Sequence, residues 1–309
     1  MKSLSIVIPI YNRAEIVCRT LNSIAAQECI EKCKIILVDN NSTDNTIDVL
    51  SQWKDSPAAA HLDVTILSEH KPGAAAARNC GFNAVDTPWV MFFDSDDEML
   101  PSLIADILDT INTKSDFDIV GWEIDIEKSD GSHSVGRFVL NKPLENHLRH
   151  SSLSTQRYAI RTKLLRKVGA WNESIFAWID YELGVRILLT RPKMHLLDGL
   201  RVAINFTETS ITGRKFSTKP ETFENALDTC ENHLREAGIS TNWIDIRRAM
   251  LAANYAREQA PAQASRLLSA TIKGKPFGKR LFLRLIYLKQ RLTPRGTTLL
   301  ASLLTPSID

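Results

Sequence analysis

The chain has 309 residues, of which 44% are hydrophobic and 24% charged, with a formal net charge of +2. That is an ordinary globular composition, long enough for one large domain or a domain with an appendage. The overall charge gives no argument for a nucleic-acid partner, and no stretch reaches the roughly 18 apolar residues of a spanning helix.

Charge is unevenly placed. Between Glu258 and Asp309 there are nine basic residues and no acidic one, so a basic tail follows a near-neutral body. Cysteines fall at 18, 29, 33, 80 and 230, without a CxxC pair or a Cys/His zinc pattern. This odd, unpatterned set suits a reducing compartment, and Cys29 and Cys33 read as packing residues. The N-terminal apolar run 4–10 is short, contains Pro9 and lacks a small-residue cleavage site after it. It reads as a strand rather than a signal peptide, so the expected location is cytoplasmic.

In chain order, Leu4 to Ile10 is a β-branched run of the kind buried on both faces of a sheet. Residues 14–27 have helical spacing, with Ile16, Val17, Leu21 and Ile24 on one side. Residues 34–38 form the next buried strand. Asp44 to Trp53 reads as a helix with Ile47, Leu50 and Trp53 inward. Val64 to Leu67 is a third strand, Gly73 to Ala84 a helix opened by glycine, Val90 to Phe93 a fourth strand, and Pro101 to Ile111 a fourth helix. Four strand–helix alternations imply βαβ units and a mostly parallel sheet with helices on both faces.

Beyond residue 118 the pattern is mixed. Ile119 to Ile126 alternates like a strand, and Ser129 to Ser132 is a hairpin turn. Residues 155–168 and Tyr181 to Leu189 read as helices, and Met194 to Asn205 as one or two strands. Helices follow at 221–237, 242–272 (interrupted near Ala260-Pro261) and 277–292. The expected organisation is a domain over 1–215, in two halves at 1–117 and 118–215, followed by a helical region at 216–309.

Ligands in such sheets bind beyond the carboxyl ends of the strands, where the polar clusters fall: Tyr11-Asn12-Arg13, Asp39-Asn40-Asn41-Ser42, Glu69-His70-Lys71 and Asp94-Ser95-Asp96-Asp97. Asp94 and Asp96 at a strand end suit a hard divalent cation that shares substrate phosphates. The same four residues are also good turn chemistry. Asp44 reads as a cap for the next helix, and Asp39 is better placed to accept from a base edge. Arg78, in a small-residue helix, is expected to pair with a carboxylate or a phosphate.

Taken in order, Ser-Ile-Val-Ile-Pro-Ile-Tyr-Asn-Arg, Val-Asp-Asn-Asn-Ser-Thr-Asp, Pro-Gly-Ala-Ala-Ala-Ala-Arg-Asn and Phe-Phe-Asp-Ser-Asp-Asp resemble a family 2 glycosyltransferase. The likeness covers about residues 3–205. It implies the α/β GT-A fold, a Rossmann-like, mostly parallel sheet flanked by helices, here with a C-terminal helical extension. It also implies an inverting, nucleotide-sugar-dependent activity in polysaccharide synthesis, a UDP-sugar donor, and an acceptor hydroxyl on a glycan or lipid-linked saccharide. By the same resemblance Pro9, Tyr11 and Asp39 hold the nucleotide. Asp94, Ser95 and Asp96 form the DxD motif, in which Asp96, with Asp94, meets Mn²⁺ or Mg²⁺. Arg78 lies near the diphosphate.

Asp180 aligns with the catalytic base, with Glu182 in reserve. The family often shows Asp-Asp-Gly-Ser where this chain has Asp39-Asn40-Asn41-Ser42, and an acidic residue where it has Ile179. As a bland alternative, Asp180 only caps its helix. The loop 207–215 either closes over the diphosphate through Arg214 or Lys215, or is plain surface.

Other classes fit less well. A nicotinamide dehydrogenase needs GxGxxG where this chain has Tyr11-Asn12-Arg13-Ala14. A sugar nucleotidyltransferase needs an N-terminal glycine-rich basic loop. A non-catalytic carbohydrate-binding relative should have lost the carboxylates at 94, 96 and 180. In the tail, Phe277, Leu281, Leu285, Leu288 and Leu292 form one apolar stripe. Flanking basic residues make it suited to an anionic membrane surface, which predicts a peripheral location at the inner face. The alternatives are packing on the protein or a homodimer contact.

Overall fold

The computed structural model describes residues 2–114, 116–206 and 215–305. By internal contact the chain divides into two compact units. One comprises Met1–Asn141, Ser152–Phe176 and Thr190–Glu208, and the other Lys142–Ser151, Ala177–Leu189 and Thr209–Asp309. The expected boundary at 215 therefore differs from the grouping by contact. Two segments from within 118–215 belong with the later helices.

The first unit holds every strand of the described residues. In chain order it runs β1 (Leu4–Ile10), α1 (Val17–Ala25), β2 (Cys33–Asp39), α2 (Thr46–Lys54), β3 (Asp63–Ser68), α3 (Ala74–Asn83), β4 (Trp89–Phe92), β5 (Glu98–Met99), α4 (Leu103–Thr113), β6 (Ile119–Glu127) and β7 (His133–Gly136). After α5 (Pro143–His150), which belongs to the second unit, come β8 (Tyr158–Arg161) and α6 (Thr162–Lys167). After α7 (Ile179–Leu189), also of the second unit, comes β9 (Met194–Ile204).

The sheet order is β3-β2-β1-β4-β8-β6-β9-β5, with β7 beside β6. Strands β3, β2, β1 and β4 are mutually parallel. Strand β8 runs antiparallel between β4 and β6, and β9 lies parallel to β6. The parallel half matches the alternation read from the sequence, and the remaining half is mixed.

The physics of the parallel half is simple. Alternate residues of β1, Leu4, Ile6, Ile8 and Ile10, lie in one buried cluster with Val17, Leu21 and Ile24 of α1 and Leu103, Ile104 and Ile107 of α4. The opposite face is covered by α3, whose Gly81 approaches Val7 and Val38 closely. A strand with helices on both faces must be apolar throughout, which explains the unbroken run that marked β1. Of the residues expected inward on α2, Leu50 and Trp53 are buried, but Ile47 is 39% exposed because Thr46 takes the inward position.

The segment 155–168 corrects one expectation. It is a 3-10 turn over Thr155–Arg157, then β8, then the short helix α6. Tyr158, Ala159 and Ile160 are all buried, because β8 is inserted between β4 and β6 and covered on both faces. Such a short apolar run has no period that separates strand from helix.

The second unit also contains α8 (Pro220–Glu236), α9 (Asn242–Arg257), α10 (Pro261–Ile272), α11 (Phe277–Leu292) and α12 (Thr297–Leu304). Its buried residues include Leu227, Leu234, Trp243, Ile246 and Tyr255. Among the described residues no helix is long and apolar enough to cross a membrane.

Gly81 sets how closely α3 lies on the sheet. A Cβ there would fall on Cγ1 of Val7 and 3.0 Å from Cγ2 of Val38. Both valines are interior strand residues and cannot move aside. Gly81→Ala gains about 1 kcal/mol of helix propensity, but overpacking costs about 1–3 kcal/mol, so the clash should win. The expected result is a thermal unfolding midpoint a few degrees lower, measured by calorimetry.

Candidate active site

Strands β1 and β4 are neighbours, but their pairing stops at Val7 and Phe92. The carbonyl of Val7 still accepts from the Phe93 amide at 2.9 Å. Two residues on, Pro9 turns its backbone to the same side, past the end of β4, so its missing N–H interrupts no ladder. β1 is also where the strand order reverses, which is where a crevice opens in this type of sheet. Tyr11 follows β1 and is 55% exposed, so an aromatic face stands at that edge.

Asp39 ends β2 and is buried. One oxygen accepts from the Ser42 amide at 3.3 Å. The other, Oδ1, is buried and accepts no hydrogen bond from the described residues. A buried carboxylate oxygen left this way costs about 1–3 kcal/mol or more, so the position suits a ligand donor.

The two residues that depart from the family pattern have structural reasons. Asn40 donates to the carbonyls of Glu69 and Lys71 at 2.9 and 2.8 Å and accepts from the Gly73 amide at 2.8 Å. An ionised aspartate could not make those two donations. Asn41 has φ +59°, a left-handed conformation that asparagine tolerates better than most residues.

Asn12 and Arg13 tie the β1 tip to the next loop, with the Thr43 amide donating to Asn12 at 2.8 Å and the Arg13 amide to the Thr46 hydroxyl at 2.8 Å. Asp44 accepts from the Thr46 amide at 3.1 Å and the Ala14 amide at 3.2 Å. Burial disfavours its charge, but the Thr46 and Ala14 bonds outweigh this and hold its carboxyl below the usual range. It thus braces the approach to α2, but the cap position of that helix is Asn45, whose side chain makes no capping bond, so the expected cap at Asp44 is displaced by one residue.

The acidic turn after β4 is the most constrained part of the site. Arg78, buried on α3, donates to Asp94 Oδ1 at 2.8 Å, with its guanidinium 5.7 Å from the Trp171 ring. Gln156 donates to Asp94 Oδ2 and to Asp97 Oδ2, both at 2.7 Å. Ser95 is buried. Asp96 Oδ2 lies 3.3 Å from Nη2 of Arg13, and its carbonyl accepts from Arg19 at 2.8 Å and Asn205 at 3.2 Å. Asp97 is pushed up to about 8, first by burial and then by the charge of Asp94, although Gln156 favours its ionised form.

Among the described residues no group of three or more His, Cys, Asp and Glu side chains could hold a metal unaided. The available donors are carboxylate oxygens on one turn. That set fits a hard cation that takes one or two carboxylates and completes its shell from phosphate oxygens. It does not fit a nitrogen- and sulfur-bound metal. Asp96 is better placed than Asp94, whose two oxygens already serve Arg78 and Gln156.

Several participants were not assigned from the sequence. Arg13 and Asp97 lie inside the polar clusters at the strand ends, where spacing alone assigns them no role. Gln156 had no signal at all, since its stretch read as helix. Asn79 is a further such residue. It donates to the Trp171 carbonyl at 2.9 Å and to Glu173 at 2.7 Å, and Glu173 meets Lys71 at 2.6 Å. The bonds from Asn79 and then Lys71 hold the Glu173 carboxyl below its usual range.

In the second unit, Asp180 lies in the first turn of α7 and is half-buried. Trp178, at φ +52°, packs edge-on to Phe223 with centroids 5.2 Å apart. Glu182 is 1% exposed, takes two 2.7 Å bonds from Arg186 and lies 2.9 Å from His233. Its carboxylate is committed to a buried ion pair. The loop reading at 207–215 lies outside the described residues except for Lys215, which is exposed.

The sequence pattern of the glycosyl transferase family 2 matches residues 5–175, and the chain belongs to that family. An Escherichia coli relative, the UDP-Glc:alpha-D-GlcNAc-diphosphoundecaprenol beta-1,3-glucosyltransferase WfaP, is 31% identical over 117 residues, 38% of this chain and 44% of its own. The glycosyltransferase GlyG of Streptococcus pneumoniae serotype 4 is 24% identical over 200 residues, 64% of this chain and 61% of its own. The chain thus spans less than two thirds of the length of these relatives.

Two solved structures have the same fold. Residues 1–349 of Staphylococcus aureus TarS in complex with UDP-GlcNAc give a TM-score of 0.68 at 19% identity, covering 97% of this chain and 90% of that one. The Pyrobaculum calidifontis mannosyltransferase PcManGT, in complex with GDP-Man and Mn²⁺, gives 0.59 at 15% identity, covering 97% and 86%. The fold is therefore GT-A.

The two acids of α7 are separable by stability. Glu182→Gln strips Arg186 of its buried counter-charge, and breaking such a pair costs about 3 kcal/mol. A clearly lower unfolding midpoint is expected. Asp180→Asn should leave the midpoint nearly unchanged. An equal drop in both variants would make Asp180 a structural cap.

Proposed function

We propose that the protein is an inverting glycosyltransferase of the hexosyltransferase type. It moves a sugar from a UDP-sugar to a hydroxyl of a glycan or lipid-linked saccharide, in cell-surface polysaccharide synthesis. The observation that carries this reading is the braced acidic turn 94–97. Three carboxylates within four residues are held by Arg78, Gln156 and Arg13, and such an array suits a cation and a diphosphate together. The names of the relatives support UDP as the nucleotide.

In this reading Tyr11 offers its exposed ring to the base, and Asp39 Oδ1 accepts from the uracil N–H. The backbone past Pro9 leaves room for the nucleoside at the reversal of strand order. Asp96, with Asp94, would hold Mn²⁺ or Mg²⁺, which when bound neutralises the charge developing on the nucleoside diphosphate. Arg78 keeps Asp94 oriented and adds positive charge near the diphosphate.

The acceptor hydroxyl attacks the anomeric carbon from the face opposite the leaving diphosphate. The new glycosidic bond forms as the bond from carbon to the phosphate oxygen breaks, so configuration inverts through an oxocarbenium-like state. Asp180 takes the hydroxyl proton. It lies in the first turn of α7, at the positive end of the helix dipole. Glu182 plays no part in this proposal, since its charge serves Arg186.

UDP should stabilise the protein against heat more strongly with Mn²⁺ than with EDTA, following the mass-action shift of a bound ligand. Asp39→Ala should weaken that shift. Asp96→Ala should keep the fold and lose sugar transfer, and equal activity with and without divalent cation would remove the metal from the proposal.

Asp180→Asn keeps the size of the side chain but cannot accept a proton. Transfer should fall by at least ~10²-fold, the scale of a positioned general base, while the UDP thermal shift is retained. Full activity in this variant would overturn the assignment of the base.

A further inference from the structure

The apolar stripe on α11 is exposed. Phe277 is 73% exposed, Leu281 and Leu285 49%, Leu288 46% and Leu292 76%. The helix packs instead through its opposite side. Leu283, Ile286 and Gln290 are buried there, and Gln290 bonds Asn254 of α9 at 3.0 Å. Lys279 is anchored on the same side, 2.6 Å from buried Asp245 of α9 and 2.7 Å from Asn242. At 100° per residue the packed set and the stripe fall on nearly opposite sides of the helix.

The rest of the helix surface carries one sign of charge. Arg280, Arg284 and Arg291 are exposed along one border of the stripe. The Arg280 guanidinium lies 5.9 Å from the Phe277 ring. No acidic residue occurs between Glu258 and Asp309.

We propose that this face of α11 is a docking surface for an anionic lipid bilayer. The stripe enters the boundary between headgroups and acyl chains, and Arg280, Arg284 and Arg291 meet the headgroup phosphates. Long arginine side chains can keep their heads among headgroups while their stems lie along apolar surface. A second copy of the chain fits less well. A two-fold contact would set this arginine border against its own copy, with no carboxylate on either helix to offset it.

The test uses the full-length chain and vesicles of phosphatidylcholine alone or mixed with phosphatidylglycerol. The unaltered protein should co-sediment with the anionic vesicles, more weakly as salt rises, and poorly with the neutral ones. Arg280→Ser/Arg284→Ser/Arg291→Ser should weaken binding on the order of 100-fold, at roughly five-fold per basic residue. Leu281→Ser/Leu285→Ser/Leu288→Ser should abolish it. Because all six side chains are exposed, the unfolding midpoint serves as the check on folding, and the UDP thermal shift should be unchanged in both variants.

Equal binding to neutral and anionic vesicles would overturn the proposal, as would variants that bind like the unaltered chain. Absence of vesicle binding, together with a dimer in light scattering that the leucine variant abolishes, would assign the face to a second copy. None of these outcomes depends on sugar transfer, so failure here is distinct from failure of the proposed activity.

Discussion

The crowding of carboxylates after β4 is the constraint around which the first unit is arranged. Asp94, Asp96 and Asp97 share a four-residue turn at the sheet edge, and like charges so close repel unless each is matched. Arg78 reaches one from α3, Gln156 holds two from the turn before β8, and Arg13 meets the third from the tip of β1. Three separate chain segments therefore converge on one turn. The close approach of α3 at Gly81, the insertion of β8 beside β4, and the short reach of β1 past its partner all serve that convergence.

Asp97 shows what is left over after this bracing. It is buried, faces Asp94, and has its carboxyl pushed up to about 8 even though Gln156 and the Asn205 amide favour its charge. The turn is therefore short of positive charge in the protein alone. In the proposed reading a bound cation supplies that missing positive charge, and the diphosphate, itself anionic, is held through the cation.

The second unit follows a different logic. Two of its buried carboxylates are matched by nearby cations: Glu182 by Arg186 and His233, and Asp245 by Lys275 and Lys279. These pairs fix one packing for each helix. The Lys279–Asp245 pair lies on the same side of α11 as buried Leu283, Ile286 and Gln290, which leaves the opposite side exposed.

The sequence by itself determined the parallel half of the sheet, because a strand covered on both faces must be a continuous apolar run and a covering helix must repeat near 3.6. The same regularity put Tyr11, Asp39, Asp94 and Asp96 at strand ends, and four ordered motifs were enough for the family. Local spacing holds no record of long-range partners. Gln156 lies 62 residues from Asp94, and Arg13 lies 83 from Asp96. Only the tertiary structure could bring them together, insert β8 into the sheet, or commit Glu182 to Arg186 and His233. Likewise the α11 periodicity exposed an apolar stripe to view, but whether that stripe faced protein or solvent depended on Leu283, Ile286 and Gln290 meeting α9 on the other side.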